Sequence, residues 1–204
     1  MLTNFNNFIS KMFYILKSIG VFMNEPLEMY GDFSDVVSGE ESVSCNAVLD
    51  ILKKYSSTIS VFDLMAVNAE MIEESKYVQD SYKHKSHEVY AKYFLGRIKD
   101  VSSDNNTYEH GIDKEEFIDA IATLNSYHVN GSVTSKTKFP LIYGIISIYT
   151  TFILEEPIHP VGTPFPGSLY VEEKDGKFYC PVKDANLESP NAVCKMCIAE
   201  QLEF

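Results

Sequence analysis

The sequence predicts a mainly α protein: a helical, bundle-like body followed by a small C-terminal module with a β-hairpin and a Cys-x-x-Cys knuckle. Three observations predict it. Apolar residues recur at helical spacing through most of residues 1–156. Six of the eight prolines lie from Pro157 onward, so the chain changes character there. Three of the four cysteines fall within the last 25 residues. The chain accordingly divides into a helical body, 1–156, and a proline-rich loop plus metal-binding module, 157–204.

The elements follow in order. Leu2 to Met23 reads as a helix, because Phe5, Ile9, Met12, Leu16 and Ile19 form one apolar stripe. That stripe is expected to dock onto the rest of the protein. Residues 24–42 carry Pro26, Gly31, Gly39 and several acids, and read as a linker. Val43 to Tyr55 reads as a short helix with Val48, Leu49, Ile51 and Leu52 on its apolar side. Ser60 to Lys99 holds no proline, and Val61, Leu64, Met65, Asn68, Ile72, Ser75, Val78 and Tyr82 keep a helical period that Val89, Tyr93 and Arg97 continue. This is one long helix, or two broken near Tyr82 to Ser86. Ser102 to Gly111 reads as a polar loop.

Asp113-Lys114-Glu115-Glu116 resembles a capping box with Asp in the capping place. The helix it opens shows Phe117, Ile121, Leu124 and His128 on one face. After a loop at Asn130 to Lys138, Pro140 fits the first turn of a strongly apolar helix, where its missing N–H costs nothing. Pro157 ends that helix. Its apolar run, Phe139 to Leu154, is shorter than the roughly 20 residues of a membrane span and contains Pro140 and Gly144, so a buried central helix is expected. Beyond Pro157, Ser168 to Glu173 and Lys177 to Pro181 read as a hairpin turned by Asp175-Gly176. Asn191 to Leu202 reads as room for a short helix.

Composition narrows the function. A hydrophobic content of 45% is that of a globular protein rather than a disordered one. The net charge of −12 repels phosphate backbones, so no nucleic-acid partner is expected. From Pro157 onward four lysines face seven acids, so the C-terminal module is not basic either. Four cysteines are too few for a disulfide framework, and Lys11 and Lys17 interrupt the N-terminal apolar run, so a reducing, cytoplasmic setting is expected. There is no glycine-rich phosphate loop, nucleophile elbow or His-Glu-x-x-His motif.

One constellation carries chemistry. Cys194 and Cys197 place two thiols on a tight turn, and 13 residues separate Cys194 from Cys180 at the end of the expected hairpin. A hairpin end facing a Cys-x-x-Cys turn is how ribbon-type zinc sites are assembled. His159, held among Pro157, Pro160 and Pro164, is the leading fourth ligand. Cys45, Asp184, His128 and water are its rivals. An iron–sulfur cluster, a redox dithiol and plain free thiols are the other readings of the same cysteines. His84 and His87 share a helix face but sit among lysines, and read as solvated. The single Glu-x-x-His, Glu156 to His159, contains Pro157 and so cannot serve a helical di-iron site.

The C-terminal third also resembles a known family. The residues that carry it are Pro157 to Gly167, Phe178 to Asp184, and Asn191 to Gln201. They are similar to an uncharacterised family of methanogenic archaea, a family of unknown function. The resemblance brings no catalytic residue. It implies an anaerobic archaeal cytoplasm, in which an oxygen-sensitive cluster is tolerable.

The sequence thus points to a binding or adaptor protein with a structural zinc on Cys180, Cys194, Cys197 and His159, its partner a protein or a small molecule. The alternatives are a metalloenzyme with an open coordination position and an iron–sulfur protein.

Overall fold

A computed structural model describes residues 25–38, 42–74, 88–129, 137–189 and 192–203. The expected N-terminal helix and the expected break at Tyr82 to Ser86 lie outside the described residues, as do His84 and His87.

The linker expected at 24–42 is largely a helix, α1, Glu25–Val37. Its signals were ambiguous. Pro26 sits in the first turn, where a missing N–H is harmless, and Glu25 and Glu28 favour a helix N-terminus. Met29, Tyr30, Phe33 and Val37 then form a buried stripe. A short strand β1, Ser42–Ser44, leads into α2, Cys45–Ser56, whose first turn is capped when Ala47 N–H donates to Ser44 Oγ. Helix α3, Val61–Glu74, buries Val67, while Phe62 (78% exposed) and Met65 face outward. The periodic stripe read along this segment therefore lies partly on the wet face. Lys138 ties the start of α3 to the start of α1 through Asp63 at 4.0 Å and Glu25 at 3.1 Å.

A π-helical turn, Tyr90–Phe94, runs into α4, Leu95–Ser103. The following segment reaches β2, Gly111–Asp113, and α5, Lys114–Val129. The capping expected at Asp113 is present: Glu116 N–H donates to Asp113 Oδ1 at 2.9 Å. Strands β1 and β2 pair antiparallel with Val43 opposite Ile112, which sets the starts of α2 and α5 side by side.

The expected apolar helix is α6, Phe139–Ile148, with Pro140 in its first turn. It forms the centre of the core, with Leu141, Ile142, Ile145, Ile146 and Ile148 fully enclosed. A second π-helical turn, Tyr149–Ile153, extends it. Among the described residues no helix is long and apolar enough to cross a membrane. Tyr30 closes over Gly144 so tightly that a Cβ there would lie 2.7 Å from Tyr30 Oη. Phe33, Phe117 and Phe152 stack edge to face with centroids 5.4 and 5.3 Å apart, linking α1, α5 and the π-helical turn.

The expected hairpin is shorter than read. Its turn is as expected, with Asp175 and Gly176 both at positive φ. Only β5, Glu172–Lys174, pairs with β6, Lys177–Cys180. The residues before Val171 turn back instead: β4, Leu169–Tyr170, pairs with β3, Pro164–Phe165. Val171 is the pivot, because its amide and carbonyl are both taken by the proline-rich loop, at Thr163 and Gly162. A short helix α7, Lys183–Leu187, follows. The helix read at Asn191 to Leu202 is one 3₁₀ turn, Val193–Lys195, followed by strand β7, Glu200–Gln201, parallel to β6.

Candidate metal centre

Two segments bring the C-terminal thiols together. Strand β6 delivers Cys180, 7% exposed, at its end. The 3₁₀ turn carries Cys194, and Met196 and Cys197 N–H both return to the Val193 carbonyl at 3.1 Å. Val193 anchors this turn in the main core. The two segments are laced together across β6 and β7: Leu202 N–H donates to the Cys180 carbonyl at 3.0 Å, and Asp184 N–H donates to Gln201 Oε1 at 2.9 Å.

Lys183 is the hub of this arrangement. Its ammonium donates to the carbonyls of Cys197, at 2.8 Å, and Ala199, at 2.5 Å. Burial pushes the Cys180 thiol above its ordinary range, and the charge of Cys197 adds to that; the Val182 amide and the Lys183 ammonium pull the other way. Burial likewise raises Cys194, reinforced by Cys180 and Cys197 and opposed by Lys183. The three thiols therefore share one electrostatic neighbourhood, with the Lys183 ammonium in it. They are neighbours rather than an assembled coordination sphere: among the described residues, no three of His, Cys, Asp and Glu are arranged to hold a metal ion.

The structure places the other candidates elsewhere. His159 stands edge-on to Phe165, with centroids 5.7 Å apart, and lines a narrow cavity with Tyr93, Arg97, Tyr143 and Thr150. None of the three thiols lines that cavity. Burial lowers the His159 pKa, which favours a neutral imidazole. Cys45 begins α2 inside the main core, where its thiol donates to the Phe152 carbonyl at 3.7 Å. Asp184 is exposed in the first turn of α7. His128 belongs to the last turn of α5, and its side chain lies outside what is described.

A cleft that the sequence did not reveal adjoins the thiols. It has a volume of about 1020 Å³ and runs between α5 and the turn carrying Lys195, Met196 and Cys197. Its floor is the end of the π-helical turn, and three local irregularities meet there. Leu154 N–H reaches back to the Tyr149 carbonyl, five residues away. Glu156 N–H reaches the Thr150 carbonyl across Glu155, which holds φ at 52°, a conformation usually left to Gly or Asn at a helix end. The Phe152 carbonyl, freed by this ending, receives the Cys45 thiol and lies 3.1 Å from His110 Nε2. His110, read from sequence as part of a polar loop, is thus a cleft-lining residue.

The profile of a protein family described as "Uncharacterized protein conserved in archaea (DUF2115)" matches residues 44–202. The chain belongs to this family. The match takes in the cleft and all three C-terminal thiols, whereas α1 precedes it. A UPF0305 protein of Methanothermobacter thermautotrophicus is 33% identical over 154 residues, covering 76% of this chain and 94% of that protein. A second UPF0305 protein of the same organism is 32% identical, covering 76% and 95%. One from Methanocaldococcus jannaschii is 26% identical, covering 74% and 93%. The resemblance read from the C-terminal segments is therefore to the family that matches most of the chain. No solved structure matches it.

Proposed function

We propose that this member of the DUF2115 family is a metal-stabilised binding protein, in which Cys180, Cys194 and Cys197 hold a structural zinc ion that closes the C-terminal module. The observation that carries this reading is that Cys180 and Cys194 each lie within electrostatic reach of Cys197 and of the Lys183 ammonium. Three thiolates and Zn²⁺ leave one net negative charge, which the Lys183 ammonium offsets. Zinc binding would also remove the protons that burial and neighbouring thiols keep on Cys180 and Cys194, so affinity should rise with pH. The small β5–β6–β7 sheet has little core of its own, and a metal is how such ribbons commonly acquire stability. His159 would have to leave its cavity to complete the shell. A second reading, an open coordination position filled by solvent, is favoured by Cys197 lining the cleft.

Elemental analysis of anaerobically purified protein tests the proposal, with one zinc per chain expected. Cys194→Ser should lose that metal and melt at a lower temperature. Metal lost with stability unchanged would reject a structural role. Iron and sulfide in place of zinc would establish the cluster reading instead.

A further inference from the structure

We infer that the exposed apolar stripe of α3 is a docking surface for residues 2–23 of the same chain, which lie outside the described residues. Helix α3 is apolar on two opposite sides. Val67 is buried in the core, with Leu64 and Met71 packed against it. Phe62, Met65, Ala66, Ala69 and Ile72 recur at helical spacing on the other side, and Glu73 ends the stripe. All five are exposed, Phe62 at 78%, Met65 at 64% and Ile72 at 44%. A helix that is apolar all round is normally covered all round, and a continuous exposed apolar patch marks an interaction surface.

Place, pattern and charge identify the occupant. The segment ends where α1 begins, and one lysine ties that point to the start of α3: the Lys138 ammonium lies 3.1 Å from the Glu25 carboxylate and 4.0 Å from that of Asp63, the residue after Phe62. A chain leaving Glu25 toward its N-terminus therefore sets out beside the first residue of the stripe. A helix over residues 2–23 is about 33 Å long, and the stripe from Phe62 to Ile72 about 15 Å, so the nearer half of the segment is enough to cover it. In that half Met12, Leu16, Ile19 and Met23 keep helical spacing, and an antiparallel course lays them over Ile72, Ala69, Met65 and Phe62 in turn. The charges match as well. Residues 2–23 hold Lys11 and Lys17 and no acid, whereas α3 holds Asp63, Glu70, Glu73 and Glu74 and no lysine or arginine. Two α3 helices from separate copies would instead bring like charges together, which disfavours a second copy as the occupant.

This inference goes beyond the zinc reading and does not depend on it. The chain has no tryptophan, so Leu16→Trp in the full-length protein supplies a single reporter. Its emission should be blue-shifted from that of a solvated indole, and dilution should not change it. Adding Phe62→Asp with Met65→Asp should return the emission to that of a solvated indole. Both positions are exposed, so the body should keep its fold. Val161→Asp, at an exposed apolar position in the proline-rich loop, should leave the emission blue-shifted. Hydrogen exchange on the chain without the reporter guards against a tryptophan that itself disturbs docking: the amides of residues 12–23 should be protected, and the two aspartates should remove that protection. Fast exchange of these amides together with a solvated indole would overturn the inference. So would a blue shift that survives the two aspartates, which would place the segment elsewhere. A shift lost on dilution, with dimers in sedimentation, would assign the stripe to a second copy, and one seen only with anionic phospholipid vesicles would assign the segment to a membrane surface; either overturns it.

Discussion

Replacing Tyr149 with Phe removes a single oxygen from the best-defined polar cluster in the core. The Asp104 carboxylate, 7% exposed, accepts the Tyr149 and Tyr108 hydroxyls at 2.8 Å each and the Asn106 amide at 2.9 Å. Hydrogen bonds to a charged acceptor contribute about 1.5–3 kcal/mol each, and Tyr149 is too enclosed for water to stand in readily. Tyr149→Phe should therefore cost about 2 kcal/mol. Asp104→Ala strands two phenols and an amide together, and should cost about 4 kcal/mol. The double variant should fall short of the sum by about 2 kcal/mol, because both changes delete the same bond. Urea denaturation at neutral pH gives all three values.

The pH dependence supplies an independent check. Burial alone would raise the Asp104 pKa, but the Asn106 amide, the two phenols and the Lys53 ammonium together outweigh it, so the native value lies below the ordinary one. A depressed native pKa means stability that is fully present above the unfolded value, about 4, and is lost as pH falls through the native one. The advantage of the native protein over Asp104→Asn should shrink across that acidic window. A Tyr149→Phe cost within about 0.5 kcal/mol of zero, or strict additivity in the cycle, would refute the description of this cluster.

Two further outcomes follow from packing and charge. Phe33→Ala should cost about 3–5 kcal/mol by denaturant titration, since Phe33 is fully enclosed and stacks on Phe117, although α1 lies outside the residues matched by the family. Lys183→Met should raise the pH at which Cys180 and Cys194 ionise, read by thiolate absorbance, because it removes a cation that opposes their burial. It should also cost about 1–3 kcal/mol through the two carbonyls it leaves behind.

Local chemistry was legible in the sequence where one residue type admits few geometries. Asp113 could be read as a cap, Asp175-Gly176 as a tight turn and Pro140 as a helix start, and each is so. Helix α1 was not legible, because Pro26 and Gly31 are loop signals unless one knows that Pro26 falls in a first turn and that Phe33 has a partner in Phe117. Pairing between β1 and β2 joins distant three-residue strands and leaves no local trace. Asp104 looked like one more acid in a polar loop, since its value comes from Tyr149 far along the chain. Spacing pointed to a shared site for the three thiols, and what the fold adds is that Cys180 and Cys194 feel each other's surroundings through Cys197 and Lys183. The surroundings of His159 were not legible, because its prolines stiffen the loop without saying which face it turns; Val89, Tyr93 and Arg97 line the cavity beside it.

Strand β6 sits between β5, its immediate neighbour in sequence, and β7, which is made only after both cysteines of the Cys-x-x-Cys turn. Synthesis is vectorial, so all three thiols are translated before Leu202 can close on Cys180. A nascent chain thus passes through an interval in which its thiols are present but unlatched. Oxidant or stray metal acting in that interval would meet an open module. Any extension fused beyond the β7 edge would bear on the same late closure.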